Sequence, residues 1–225
     1  MLSEEVEADD CDLHEPPSFG DPAYWEEHFA RAPSGLSSDP SALEYEWLWV
    51  DLDALGQAML PYLPLASRRV LHPGCGMSLL PVMLRRLAPQ LEVVSVDTSP
   101  SCVAAMAARH GQPGLSWQVA DVRCLSIGQL VTPTSGSAAD DPLFHAAVEK
   151  GCLDALLCSD EGDCAASAYL AGLAAALAPH APLLAVSNSP ARHRHLLPHF
   201  EVAKVVPLLP SEGPFGPSLY VCYRR

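Results

Sequence analysis

The sequence predicts an α/β domain, a mostly parallel sheet with helices on both faces and an antiparallel pair of strands at its end. Three observations lead there. From Arg69 onward, short apolar segments alternate with stretches of helical periodicity, the order that builds a parallel sheet. Those segments are continuous apolar runs, as strands buried on both faces require. The last two, 200–206 and 218–223, are joined by a Pro/Gly-rich loop with no helix between them, which suits antiparallel neighbours.

Taken in order, residues 1–20 are acidic and Pro-containing without apolar periodicity, and are expected to form a disordered acidic tail. Ordered chain is expected from Asp21-Pro22, with proline at the first helical position. Tyr24, Trp25, His28 and Phe29 then make a helical stripe. The segment 33–41 (PSGLSSDPS) reads as a loop. A second helix is expected from about Ser41 to Pro61, with Leu43, Trp47, Val50, Leu55 and Met59 turned inward. Strands are expected at 69–72, 91–96, 115–119, 143–148 and 182–187. The helices between and after them are expected at about 78–88, 100–110, 152–158 with 163–178, and 190–198. Residues 131–141 (VTPTSGSAADD) read as a surface insert. The organisation is one domain over 21–225, preceded by the tail and opened by N-terminal helices in 21–62.

A chain of 225 residues, 49% hydrophobic and 18% charged, has enough apolar surface for a large core. A formal net charge of −14 repels phosphates, so no nucleic-acid partner is expected. No apolar run reaches the roughly 18 residues that a membrane span needs. Seven of the first fifteen residues are acidic and none is Lys or Arg, unlike a transit or signal peptide, so a cytoplasmic location is expected. The eight cysteines show no CxxC pair, and Cys75, Cys102, Cys152, Cys158 and Cys222, in apolar or small-residue settings, read as reduced core residues. His193, His195 and His199 do not share one helix face and gain no acid or cysteine locally, so no metal site is expected there.

Three strand ends fall at the spacing of one ligand pocket. Gly74 and Gly76 follow the run at 70–73, Asp97 ends the run at 93–97, and Asp121 follows a third strand. Glycines without a Cβ let the backbone come close to a ligand. Asp97 lies 23 positions after Gly74, near the roughly 20-residue offset at which a strand-end carboxylate meets ribose hydroxyls. A dinucleotide fingerprint would need glycine at 79, where the chain has Leu79, so a ligand without a pyrophosphate is indicated.

The three strand ends, the acid after the second strand and the terminal hairpin together resemble the class I S-adenosylmethionine-dependent methyltransferases. The resemblance implies a Rossmann-like, seven-stranded, mostly parallel sheet, with S-adenosyl-L-methionine as cofactor. It implies that Gly74 and Gly76 hold the methionyl part and the ribose, Asp97 with Thr98 the ribose hydroxyls, and Asp121 with Val122 the adenine. A narrower resemblance lies at GluLysGlyCysLeuAspAla (149–155). It is similar to the acid-Lys-Gly-Thr/Cys-x-Asp-Ala signature of protein-lysine methyltransferases, including those acting on eukaryotic elongation factor 1A and on citrate synthase. TyrTrpGluGluHisPhe (24–29), TyrGluTrp (45–47) and GlyCysGlyMetSer (74–78) are similar to further segments of that group.

That narrower resemblance implies that Trp25, Phe29, Trp47 and Lys150 line the cofactor site. Aromatic faces stabilise a cation such as a sulfonium by roughly 0.5–2 kcal/mol within about 6 Å. Trp25 and Trp47 equally suit the core of amphipathic helices. Lys150 suits either the cofactor carboxylate or a solvated position. Glu149 either accepts a hydrogen bond from an incoming amine, as a catalytic group, or caps the helix beginning near Gly151. His72 stands where many methyltransferases have an acid, Phe29 where several relatives have Tyr, Leu48 where the group has Phe, and Cys152 where Thr is common. The implied activity is methylation of a lysine on a protein substrate, an elongation-factor-like protein among the candidates. A small-molecule N- or O-methyltransferase and a non-catalytic cofactor-binding scaffold are the alternatives.

Overall fold

The computed structural model describes residues 17–31, 46–48, 50–64, 69–126, 128, 130, 143–209 and 216–225. Residues 1–16 of the tail expected over 1–20, the loop at 33–41, the expected inward Leu43, Tyr45 and the insert at 131–141 lie outside the described residues, whereas Phe19 packs on Trp25 and Trp47. The elements run α1 (Pro22–Ala30), α2 (Leu52–Met59), β1 (Arg69–Pro73), α3 (Leu80–Leu87), β2 (Glu92–Asp97), α4 (Pro100–His110), β3 (Leu115–Val119), β4 (Ala146–Lys150), α5 (Cys152–Leu156), α6 (Gly162–Ala176), β5 (Pro182–Ser187), α7 (His193–Leu196), β6 (Phe200–Pro207) and β7 (Ser218–Arg224). Among the described residues, no helix is long and apolar enough to cross a membrane.

The strands form one seven-stranded sheet in the order β3-β2-β1-β4-β5-β7-β6. β1, β2, β3, β4 and β5 are mutually parallel, while β7 runs antiparallel to both β5 and β6. Strands β1, β4 and β5 are buried along their whole length, which explains their unbroken apolar character. One core, including Phe29, Leu55, Met59, Leu84 and Met106, covers the face carrying α1 to α4. The other, including Leu153, Tyr169, Leu173 and Leu196, covers the face carrying α5 to α7. Strand order reverses between β1 and β4, so their carboxyl ends part and open a crevice, where ligands of open α/β sheets bind.

Three expectations are corrected. The second helix starts at Leu52, not near Ser41, because Asp51 caps it by accepting the Ala54 N–H at 3.0 Å. Trp47 and Leu48 lie in a bend before that helix, Leu48 with φ 68. Strand β4 starts at Ala146, where its pairing with Val70 begins, and not at 143; Phe144 makes only an isolated bridge to Leu177. Glu149 and Lys150 therefore end the strand instead of following it, and Gly151 turns the chain into α5 with φ 80. The final helix is a single turn, His193–Leu196, where 190–198 was expected. The preceding residues are held outside a helix: the Asp154 carboxylate accepts the Asn188 N–H at 2.9 Å and pairs with Arg192 at 2.7 Å.

Candidate active site

At the carboxyl edge of β1, β2 and β4 a cleft encloses about 800 Å³, open solvent at its mouth included. Its floor is the turn after β1. Gly74 has φ +57, and a Cβ there would stand 2.4 Å from Cys152 Sγ, so only glycine lets the turn close onto α5. Gly76 has φ +49 and donates its N–H to Asp97 Oδ2 at 2.8 Å. Asp97 Oδ1 accepts the Ser99 N–H at 3.0 Å. Burial raises the Asp97 carboxyl above its ordinary range, against the lowering effect of these N–H donors. Each carboxylate oxygen has two lone pairs, so acceptor capacity remains toward the cleft, which Asp97 and Thr98 line.

Asp121 and Val122 line the same cleft beyond β3. The Asp121 carboxylate caps the short turn Val122–Cys124 through the Arg123 N–H at 2.9 Å. It is also gripped by the Arg123 side chain, with Nε 3.0 Å from both oxygens and Nη2 2.6 Å from Oδ2. That bond holds the Asp121 carboxyl below its ordinary range. Arg123 itself lines the cleft.

The opposite wall is aromatic. Asp21 caps α1 by accepting the Ala23 N–H at 2.9 Å, which sets the helix so that Trp25 and Phe29 face inward. Their rings stack at 5.7 Å. Trp47 meets Trp25 edge-on at 5.3 Å and Phe19 at 5.0 Å, and Trp25 Nε1 donates to the Phe19 carbonyl at 2.7 Å. All four line the cleft. Phe29 is buried, while Trp25 and Trp47 are half-buried.

Lys150 is neither solvated nor open. Its side chain is 2% exposed, and Nζ stands 2.9 Å from Glu46 Oε2 while donating to the Trp47 carbonyl. Glu149 takes the capping alternative: Oε2 accepts the N–H groups of Cys152 at 3.0 Å and Leu153 at 3.3 Å. It is fully buried, is not part of the cleft lining, and is pushed up to about 8 by burial. His72 is buried in β1, 3.4 Å from Ser95 Oγ, and burial holds it neutral with a pKa of about 3. Cys152 lines the cleft against Gly74.

Several residues of this arrangement have no signal in composition or spacing. Glu26 accepts hydrogen bonds from the hydroxyls of Ser99 and Ser101 and from the Ser101 N–H, fixing α1 to the start of α4. An acid on a short amphipathic helix otherwise reads as a solvated face. Glu46 lies inside the TyrGluTrp segment, and Arg123 two positions after Asp121, but nothing in sequence spacing shows that either reaches the site.

Neither a protein-family model nor a curated protein sequence matches the chain. Solved structures do. The N-methyltransferase NodS from Bradyrhizobium japonicum WM9, in complex with S-adenosyl-L-homocysteine, matches over 93% of this chain and 99% of its own, at 16% identity and a TM-score of 0.55. The glycopeptide N-methyltransferase MtfA, complexed with S-adenosyl-L-methionine, matches over 79% and 96%, at 14% identity and a TM-score of 0.60. TrmN from Thermus thermophilus matches over 89% of this chain and 53% of its own, at 16% identity and a TM-score of 0.53. The chain thus has the Rossmann-like fold of these methyltransferases, terminal antiparallel hairpin included.

Proposed function

We propose that this chain is an S-adenosylmethionine-dependent methyltransferase whose acceptor is a lysine side chain on a protein, an elongation-factor-like protein being the first candidate. The observation that carries the proposal is convergence: Gly74, Gly76, Asp97, Asp121, Trp25, Trp47 and Lys150, drawn from separate segments, line one cleft. The residues fit an adenosyl sulfonium. A Cβ at Gly76 would meet only Phe29 Cζ, at 3.5 Å, so the glycine turn keeps open a cradle that a side chain there would enter, and Asp97 keeps acceptor capacity at the edge of that cradle.

When bound, the cofactor supplies a methyl group activated by a positively charged sulfur. Gly74 and Gly76 would hold its methionyl and ribose parts, Asp97 with Thr98 the ribose hydroxyls, and the Asp121–Val122 turn the base. Trp25, Phe29 and Trp47 present faces that favour a cation and exclude water. A free lysine has a pKa near 10.4; desolvation in the cleft and the like charge of the sulfonium would favour its neutral, nucleophilic form. No side chain is assigned as general base; alignment of the amine with the methyl group is the main contribution asked of the protein. The net charge of −14 suits a basic, lysine-bearing partner. The structural neighbours NodS and MtfA act as N-methyltransferases, in keeping with a nitrogen acceptor.

The test is transfer of tritiated methyl from labelled cofactor into lysate proteins, followed by hydrolysis to amino acids. Label in methyl-lysine is the expected result, lost in Asp97→Asn. Label confined to small solutes would reject the protein acceptor, and failure of S-adenosylhomocysteine to bind by calorimetry would reject the methyltransferase itself.

A further inference from the structure

Lys150 lines the cleft, yet its ammonium is turned toward protein. Nζ meets Glu46 Oε2 at 2.9 Å and donates to the Trp47 carbonyl. The same Glu46 carboxylate accepts from Ser78 Oγ at 2.9 Å and from the Leu79 N–H at 2.7 Å. These contacts join three segments: the strap at 46–48, the start of α3 behind the glycine turn, and the end of β4. Helix α3 has Leu79 at its N-cap, which offers no side-chain cap, and Ser78 Oγ accepts the Leu80 N–H at 3.2 Å; Glu46 supplies from elsewhere the carboxylate that a helix N-terminus favours. Trp47 then covers Gly151, where a Cβ would stand 2.9 Å from Trp47 Cδ1.

We propose that Glu46 and the buried Lys150 form a latch that folds the Trp47 strap over the cleft and fixes the glycine turn relative to the end of β4. Both are positioning residues. Lys150 acts on the cofactor through the strap and is not the ligand of its carboxylate. The effect on binding rests on the S-adenosylmethionine reading above, whereas the latch itself does not. Removing Glu46 leaves the buried Lys150 ammonium without its charged partner, which is strongly destabilising, while removing Lys150 leaves a Glu46 carboxylate, its side chain 24% exposed, with only the Ser78 and Leu79 donors to hold it. Removing both therefore does little more harm than removing one.

Two readouts test this on the full chain, using Lys150→Met, Glu46→Ala and the double variant. The first needs no ligand. Hydrogen exchange at the Leu79 amide, which Glu46 protects, rises in all three variants, while exchange within β2 and β5 stays as in the parent and shows that the sheet is folded. Unchanged exchange at Leu79 in Lys150→Met overturns the latch. The second is calorimetry with S-adenosylhomocysteine and with 5′-methylthioadenosine, which lacks the amino-acid carboxylate. Each single variant weakens both ligands by about tenfold or more, and the double variant matches the worse single, as coupled groups do. If only S-adenosylhomocysteine is weakened by Lys150→Met, Lys150 is a direct carboxylate ligand and the proposal fails. If neither ligand binds the parent while Leu79 exchange responds as described, the methyltransferase reading falls and the latch stands.

Discussion

Gly74 and Gly76 flank Cys75, both have positive φ, and they differ in what surrounds them. A Cβ at Gly74 would stand 2.4 Å from Cys152 Sγ and 2.7 Å from its Cβ, whereas one at Gly76 meets only Phe29 Cζ, at 3.5 Å. Gly76→Ala therefore bears mainly the backbone cost of a non-glycine residue in the left-handed region, roughly 1–3 kcal/mol. Gly74→Ala bears that cost and must also push α5 away from β1. Chemical denaturation is expected to show both variants destabilised, Gly74→Ala the more. Calorimetry with S-adenosylhomocysteine is expected to show Gly74→Ala weakened by about tenfold or more, since 1.4 kcal/mol lost at the cradle already gives that factor. Parent-like affinity in Gly74→Ala would show that the turn does not touch the ligand. The need for glycine here was legible in the sequence as a GlyCysGly turn after an apolar run. The collision with Cys152 was not, because it joins positions 78 residues apart that only the β1–β4 pairing brings together.

At the scale of elements, the N-terminal segments are held to the sheet by carboxylates. α1 has nine residues, too few for a helix to persist alone in water. Its attachment to α4 runs through Glu26, whose carboxyl is held below its ordinary range chiefly by the Ser101 hydroxyl. Glu26→Ala is expected to raise hydrogen exchange across Pro22–Ala30 while leaving β1 and β4 protected. S-adenosylhomocysteine affinity is expected to fall about fivefold, in line with the roughly 1 kcal/mol of a lost helix-terminus contact. Unaltered exchange in α1 would show that the aromatic packing of Trp25 and Phe29 holds the helix by itself. The helix was visible in the sequence from Pro22 and the stripe behind it, and the strands from their apolar runs. What went unseen has one physical cause: polar groups that bond across the fold carry no periodicity. Trp47 and Val50 extended the apolar pattern of α2 backward, while the cap at Asp51 that ends it is a single oxygen on a single N–H. The residues before α7 read as helix until Asp154 is seen to hold Asn188 and Arg192.

For the whole molecule, two buried groups give stability opposite slopes in pH. Burial lowers His72 to about 3, so the native state refuses a proton that the unfolded chain takes up below about 6.5. The stability this group contributes is complete above that value and is lost as pH falls toward 3. Burial raises Glu149 from 4.5 to about 8. Here the native state keeps a proton that the unfolded chain releases, so stability is fullest below 4.5 and drains as pH rises to about 8. Each slope is about 1.4 kcal/mol per pH unit where the group titrates in only one state, so the two cancel between roughly pH 4.5 and 6.5. Asp97, raised by burial, leans the same way as Glu149. So does the growing self-repulsion of an acidic chain above its pI of about 4.9. Denaturant unfolding is accordingly expected to show stability falling from pH 6.5 to 8, a decline to which Glu149 is the largest single contributor. Glu149→Gln keeps a carbonyl oxygen to accept the Cys152 and Leu153 N–H groups but cannot ionise. The variant should gain on the parent as pH rises to 8, by up to a few kcal/mol, with the gap closing below about pH 4.5. A gap independent of pH would mean that Glu149 ionises alike in the folded and unfolded chain, and that its burial beneath α5 is relieved by water.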